Sequence, residues 1–316
     1  MQNYTIFGGC LRSELVFPEL HPGDGRAPSW HLRVERGAYA AGPEELLGTG
    51  TEPHCRVTLH RCENGFHLHH SCTGDFELSA DGSRITWYPR EGAQEEMARA
   101  DVMGRVLSTA LHAGGKIALH GSGVVMGDEA VAFLAPKGYG KSTLALALVN
   151  AGARLVTDDT FAVDPADPVR VLPGIHRMRL CADAAARLIA DERATELGID
   201  GKHVVDERGD ERRVLEAVPL AAIYLLAPAS PESVGDQAVQ RTRLPAPLAA
   251  MSILRHAKIG ALLGGSEAPR VIERAAALVR TVPVYELAVV RDLECIDAVV
   301  GQLMDWHGAG CVGGVR

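Results

Sequence analysis

The sequence predicts a mixed α/β protein in two parts: a small β-rich domain over residues 1–91 and a larger α/β domain over residues 92–316. Three observations carry that reading. Up to residue 90 the chain is a series of short β-prone runs cut by turn residues. Between residues 92 and 113 the apolar residues change to helical spacing. From residue 131 to residue 149 an apolar run, a glycine-bearing loop and a second apolar run follow one another, which is the order strand, loop, buried helix.

Taken in order, residues 4–7, 30–35, 56–61, 65–70, 76–78 and 84–88 read as strands. Asp81-Gly82 is a hairpin turn between the last two, and Pro22-Gly23-Asp24-Gly25 is a loop. Met97, Val102, Met103, Val106, Leu107, Ala110 and Leu111 mostly recur every three or four residues, as on one helix face, and Gly114-Gly115 ends that helix. Strands are expected at 116–120, 123–126 and 130–134, with a turn at Gly127-Asp128. Residues 141–151 are apolar nearly all round and predict a buried helix stopped by Gly152. A short strand at 154–157 ends on Asp158-Asp159. Further strands are expected at 161–163, 221–227 and 284–289, and helices at 182–190, 247–256 and 272–281. Residues 200–213 are polar and predict an exposed hairpin or mobile loop.

Bulk composition narrows the function. Lys and Arg total 32 against 40 Asp and Glu, a net charge of −8, which argues against a general nucleic-acid or anionic-membrane surface. No charged-then-apolar signal segment opens the chain, and no apolar run is long enough to cross a bilayer. The seven cysteines are odd in number, dispersed and without a CxxC pair, which predicts reduced thiols in a cytoplasmic protein.

The loop reads Ala135-Pro136-Lys137-Gly138-Tyr139-Gly140-Lys141-Ser142-Thr143. It matches G-x-x-x-x-G-K-[ST] except at its first position, where Ala135 stands. A small residue there still allows close chain approach if its φ is negative. Lys137, Gly138, Tyr139, Gly140, Lys141, Ser142 and Thr143 are therefore the expected nucleotide-binding residues. Backbone N–H groups and Lys141 would face the phosphates, and the Ser142 hydroxyl would face Mg²⁺.

Two adjacent carboxylates, Asp158 and Asp159, end the strand after the loop helix. One can hold Mg²⁺ and the other can take a proton from an attacking hydroxyl. His120 ends a strand expected beside the loop strand, where it can orient a carboxylate or contact a phosphate. Arg177 and Arg179 are two apart, so on a strand they share a face and suit a phosphate. Lys202, His203 and Asp206, and later Arg255, His256 and Lys258, are weaker polar groups of the same kind. His54, Cys55, His60, Cys62, His67, His69, His70 and Cys72 offer soft ligands, but their spacings match no standard zinc site, so a solvated hairpin with incidental histidines is expected.

On these residues the chain resembles the HPr serine kinase/phosphorylase superfamily, specifically the HPr-kinase-related branch that includes lasso-peptide precursor kinases. The resemblance runs through Leu119-His120-Gly121-Ser122, the glycine loop, Arg154-Leu155-Val156-Thr157-Asp158-Asp159, Pro173-Gly174 to Arg177-Met178-Arg179-Leu180, and Gly201-Lys202-His203-Val204-Val205-Asp206. Further along it takes in Leu254-Arg255-His256 and Val282-Pro283-Val284-Tyr285, and at the start Leu11-Arg12-Ser13-Glu14-Leu15. It implies a P-loop kinase core shared with phosphoenolpyruvate carboxykinases and the use of ATP and Mg²⁺. Lys141 and Ser142 would bind phosphates and metal, Asp158 would be the general base, and Asp159 would support the metal with Ser142. His120 would assist near the phosphoryl group, and Arg177 and Arg179 would contact phosphate or acceptor. The two aspartates exchanged is the alternative. The chain departs from HPr kinases at Thr143, where they carry Glu, and lacks their E-x-R-G segment.

The resulting expectation is a cytoplasmic, Mg²⁺-dependent serine kinase acting on a peptide such as a lasso-peptide precursor. A small-molecule hydroxyl acceptor and a non-catalytic nucleotide-binding regulator are the alternatives. The N-terminal domain is expected to bind the acceptor, no nucleic-acid or membrane partner is expected, and a homo-oligomer stays open.

Overall fold

The structure is a computed structural model that describes all residues except 41, 43, 53–54, 191–195, 199–200, 207–209, 235–237 and 309–316. It is a mixed α/β chain of two compact units: Met1–Ala118 with Ala257–Ala275, and Leu119–His256 with Ala276–Arg316.

The first unit is built on a nine-stranded sheet. From one edge its order is His21–Pro22, Gln2–Ile6, Gly9–Ser13, Trp30–Val34, Arg84–Pro89, Gly74–Ser79, Gly65–His70, Cys55–Cys62 and Glu44–Glu52. Alternation buries one face: Cys55, Val57 and Leu59 point inward along one strand, and Phe76 and Leu78 along another. Glu44–Glu52 was not expected as a strand. It carries Gly48, Thr49, Gly50 and Thr51 rather than an apolar alternation, and it owes its shape to antiparallel pairing with Cys55–Cys62, bulged between Leu46 and Gly48.

The helical period at 92–113 folds as Glu95–Asp101, a π-helical Val102–Val106 containing Gly104, and Leu107–Ala113. Val102, Val106, Leu107, Ala110 and Leu111 are buried as their spacing implies, whereas Met97 is exposed. This helical run belongs to the first unit although the sequence reading drew a boundary after residue 91. Gly82 lies so close to it that a Cβ would sit 2.5 Å from the Ala110 carbonyl oxygen. Thr73 Oγ1 donates to Asp101 Oδ2 at 2.6 Å. Residues 257–275 close on the same unit: Ser266 donates from N (3.0 Å) and Oγ (2.7 Å) to the Glu45 carboxylate, and Glu267 Oε2 lies 2.9 Å from His112 Nε2.

Two expectations are corrected in this unit. Cys55 and Cys72 form a disulfide, so the thiols are not all reduced; antiparallel pairing sets the two residues opposite one another, with Cα atoms 5.8 Å apart. The histidine-rich hairpin is not simply solvated. His67 and His70 are buried, and His67 is held between Glu44 (Nδ1 to Oε1, 3.0 Å) and Asp75 (Nε2 to Oδ1, 2.7 Å). His54 lies outside the described residues.

In the second unit Glu129–Leu134 is the strand that leads into the glycine loop. It pairs antiparallel with Ile117–Met126 and parallel with Val218–Ala229, which pairs parallel with Val284–Val290. Ile117–Met126 is one strand, not the two expected, because its pairing runs unbroken through Gly121, Ser122 and Gly123. The helix Lys141–Asn150 is buried on nearly every side. Its residues share a core with Met178 and Leu180 and with Val299, Val300 and Leu303 of the C-terminal helix Ile296–His307. That last helix was missed from the sequence although Ile296, Val299, Val300 and Leu303 have the i, i+3, i+4, i+7 spacing of a buried face. The polar stretch 200–213 is corrected in part: His203–Asp206 is a strand paired antiparallel with Arg177–Leu180, and Val204 and Val205 are buried. Residues 200 and 207–209 lie outside the described set. Among the described residues no helix is long and apolar enough to cross a membrane.

Gly123 has a packing reason. A Cβ there would lie 2.2 Å from Cε2 of Phe161, which is fully buried. Gly123→Ala is therefore expected to destabilise by about 1–3 kcal/mol through overpacking, despite the entropy a glycine replacement usually returns. Urea unfolding followed by circular dichroism measures it, and an unchanged midpoint would contradict the packing argument.

Candidate functional site

The glycine loop is exposed from Pro136 to Tyr139, while Ala135 before it and Lys141 after it are buried. Gly138 (φ 85°) and Gly140 (φ 88°) both take the left-handed backbone. A Cβ at either would meet nothing within 4 Å, so it is conformation and not space that selects glycine. Ala135 is not among the residues of positive φ, as a side chain there requires. Gly140 is the N-cap of Lys141–Asn150, so the first helical turn directs its N–H groups toward the loop. Lys141 Nζ donates to the carbonyls of Ala135 (2.8 Å) and Pro136 (3.2 Å).

The centre of the site is Asp158. Its carboxylate accepts from Ser142 Oγ at 2.8 and 3.0 Å and from Ser122 Oγ. Three elements thus meet on one side chain: the helix N-terminus, the strand Ile117–Met126 and the end of Arg154–Thr157. Burial raises the Asp158 pKa above the usual carboxylate range, and Asp159 adds to the rise. The two serine hydroxyls and Lys141 pull the other way without reversing it.

Asp159 faces a different environment. It has a left-handed φ of 72°, an outlier for a residue with a side chain, and its carboxylate is largely exposed. Its backbone oxygen accepts from Gly121 N (3.3 Å) and from His120 Nδ1 (3.2 Å), and its Oδ1 lies 3.3 Å from the same Nδ1. Because a carbonyl only accepts, the neutral His120 ring carries its proton on Nδ1.

The structure therefore brings Lys141, Ser142, Asp158, Asp159 and His120 together. It pairs Ser142 with Asp158, not with the Asp159 expected beside it on the metal, because past the strand end Asp158 stays inward while the left-handed backbone of Asp159 carries its side chain outward. Lys137, Gly138 and Tyr139 form the exposed rim of the loop, and Thr143 is half-buried in the first helical turn. Arg177 and Arg179 stand on a separate three-stranded sheet, where Arg177 Nε lies 3.7 Å from Asp206 Oδ2 and Arg179 is exposed. The chain just before them is tied to the site: Asp158 N donates to Ile175 O (3.1 Å) and Gly174 N to Val156 O (3.1 Å).

Three residues of the site were not assigned from the sequence. Ser122 lies inside the Leu119-His120-Gly121-Ser122 segment, so its position was legible but its role was not. Arg291 donates to Gly138 O (2.7 Å) and lies over the Tyr139 ring at 5.1 Å, bracing the loop. It is a lone arginine after a strand, with no local signal. His256 was noted only as part of a weak basic group. Burial lowers its pKa to about 4, helped by the charges of Lys141, His120 and Arg255, so near neutral pH it is uncharged among cations.

The site offers hard oxygen donors, a buried serine–carboxylate pair and backbone N–H groups at a helix start. That set fits a polyphosphate with a small divalent cation. Among solved structures, the chain is similar to the HPr(Ser) kinase/phosphatase from Coxiella burnetii, at 13% identity and a TM-score of 0.31, covering 60% of this chain and 96% of that one. The likeness is distant. No family model and no curated protein matches the chain.

The His256 environment makes a pH prediction. A histidine held neutral in the folded state takes up a proton only on unfolding, so its contribution to stability is present above its unfolded pKa of about 6.5 and is lost as pH falls toward about 4. His256→Gln removes that dependence. Thermal unfolding at pH 7 and pH 5 should show a smaller loss of melting temperature in the variant than in the wild type.

Proposed function

We propose that this protein is a Mg²⁺-dependent kinase that transfers the γ-phosphate of ATP to a hydroxyl, in the first instance a serine in a peptide such as a lasso-peptide precursor. The observation that carries the reading is the Ser142–Asp158–Ser122 hydrogen-bonded trio at the start of the glycine-loop helix. A buried carboxylate touching the hydroxyl that follows the loop lysine is the arrangement a phosphate-bound Mg²⁺ requires. The motif resemblance to HPr-kinase-related proteins supplies the acceptor class and the cytoplasmic setting.

In this reading Ser142 and Asp158 hold the metal, which when bound neutralises charge on the phosphate oxygens. Backbone N–H groups from Gly138 to Ser142 and the Lys141 ammonium bind the β- and γ-phosphates. Lys141 reaches them by leaving the Ala135 and Pro136 carbonyls. Asp159, exposed and with its Oδ1 3.3 Å from His120 Nδ1, takes the proton of the acceptor hydroxyl. Arg177 and Arg179 contact the phosphate or the acceptor. This exchanges the aspartate roles first expected from the sequence, on the ground that Ser142 touches Asp158.

Intact-mass spectrometry after incubation with ATP and Mg²⁺ tests the activity on three acceptors: a short peptide encoded beside the gene, HPr and free serine. One added phosphate that disappears with Lys141→Ala supports the kinase reading. ATP binding with no product on any acceptor would favour a nucleotide-binding regulator. Two variants separate the aspartates. Asp158→Asn should weaken Mg²⁺-dependent ATP binding by about tenfold or more, the scale of a lost charged hydrogen bond. Asp159→Asn should keep ATP affinity and lower turnover by about 10²–10⁴-fold, the scale of general-base catalysis. The reverse pattern would return the base role to Asp158.

A further inference from the structure

A second gathering of reactive side chains lies in the first unit. Gly65–His70 runs antiparallel to Cys55–Cys62, with His70 opposite Val57. The pairing extends past the strand end, because Ser71 N donates to Arg56 O (2.9 Å) and Arg56 N to Ser71 Oγ (2.8 Å). Cys72 therefore meets Cys55, and His70, two residues before Cys72, shares its face. One ligand atom each from Cys55, His70 and Cys72 lies within 4.8 Å of the others. Cys55 and His70 are buried and Cys72 is half-buried.

The group behind the histidine is as informative as the sulfurs. Asp101 Oδ1 lies 3.0 Å from His70 Nε2, and Thr73 Oγ1 donates to the other oxygen of Asp101 at 2.6 Å. Asp101 is itself buried. A disulfide staple needs neither a buried imidazole beside it nor a buried, oriented carboxylate behind that imidazole, and burying such a pair costs solvation. A metal-bound histidine does need them: a carboxylate on its ring fixes orientation and raises ligand basicity.

We propose that Cys55, Cys72 and His70 form a binding site for a thiophilic divalent cation of the zinc class when the cysteines are reduced, with Asp101 as the residue that positions His70. The disulfide is the metal-free, oxidised form of the same pair. Reduction by a phosphine breaks the S–S bond with two electrons; water supplies the two thiol protons and the oxygen of the phosphine oxide. Metal binding then releases both thiol protons, forms two metal–sulfur bonds and one metal–nitrogen bond, and leaves the fourth tetrahedral position to water. The two thiolates and one imidazole favour zinc over calcium or magnesium.

Cobalt(II) titration of the full chain tests this, since a thiolate–cobalt charge-transfer band reports sulfur ligands and ignores surface histidines. The chain is reduced with a phosphine, and thiols are counted after denaturation to confirm that two more are present than in the oxidised chain. The expected result is a charge-transfer band that saturates at one equivalent, is bleached by one equivalent of zinc, and is absent in Cys55→Ser/Cys72→Ser. Asp101→Asn, which keeps both sulfurs, should weaken zinc binding by about 10–100-fold, with circular dichroism unchanged. No band in the reduced chain, a band that survives in the double serine variant, or a pair that stays oxidised in excess phosphine would each overturn the proposal. So would a reduced chain that loses its fold and does not regain it with cobalt.

Discussion

The second unit is organised around one buried charge. Asp158 is almost wholly removed from solvent, and an isolated carboxylate there would be costly. It is tolerated because Ser122 and Ser142 both donate to it and Lys141 stands within electrostatic reach. Those partners come from different elements, so the carboxylate also fixes geometry. It sets the start of the Lys141–Asn150 helix against the strand Ile117–Met126, and Asp158 N, bonded to Ile175 O, anchors the segment that leads to Arg177. Gly121 and Gly123 flank Ser122 and let the neighbouring chains approach closely, a Cβ at either falling under 3 Å from Leu134 or Phe161. The apolar packing around the site thus serves the position of one hydroxyl.

The site also manages an excess of positive groups. Lys141, His120 and Arg255 all lie close enough to His256 to disfavour its protonation, after its burial. Lys141 meets backbone carbonyls, His120 meets Asp159, and His256 sheds its proton. A half-buried histidine held neutral by desolvation and by neighbouring cations marks a place where negative charge would be welcome. The raised Asp158 pKa carries the same message from the other side: the carboxylate lacks a full counter-charge, and a divalent cation would supply it.

Much of the site was legible because its motif is contiguous. Strand, loop, lysine, hydroxyl and helix lie within residues 129–150, and local spacing alone predicts them. What the sequence did not reveal depended on distant pairing. Glu44–Glu52 and Val239–Arg243 lack strong strand patterns and become strands by joining a neighbour. His203–Asp206 reads as a polar loop because its two buried valines sit between polar ends. The Cys55–Cys72 contact joins residues whose separation of 17 carries no recognised signature. Arg291, 153 residues from the glycine it binds, had no signal at all.

The two aspartates show where a sequence reading reaches its limit. Asp158 and Asp159 are adjacent and chemically identical, so a motif can name the pair but cannot divide the work. The backbone divides it. Asp158 continues inward from a buried strand, whereas Asp159 takes a left-handed turn that carries its side chain outward. The turn is held by Gly121 N and His120 Nδ1 on the Asp159 carbonyl, so the strain is met by two hydrogen bonds from the strand that also bears Ser122. One carboxylate is thereby sealed against the helix start and the other is left facing solvent beside an imidazole. A metal-supporting group benefits from burial and fixed hydroxyl partners. A proton acceptor must reach a substrate that arrives from outside. In the proposed kinase reading, environment and not residue type separates the two roles.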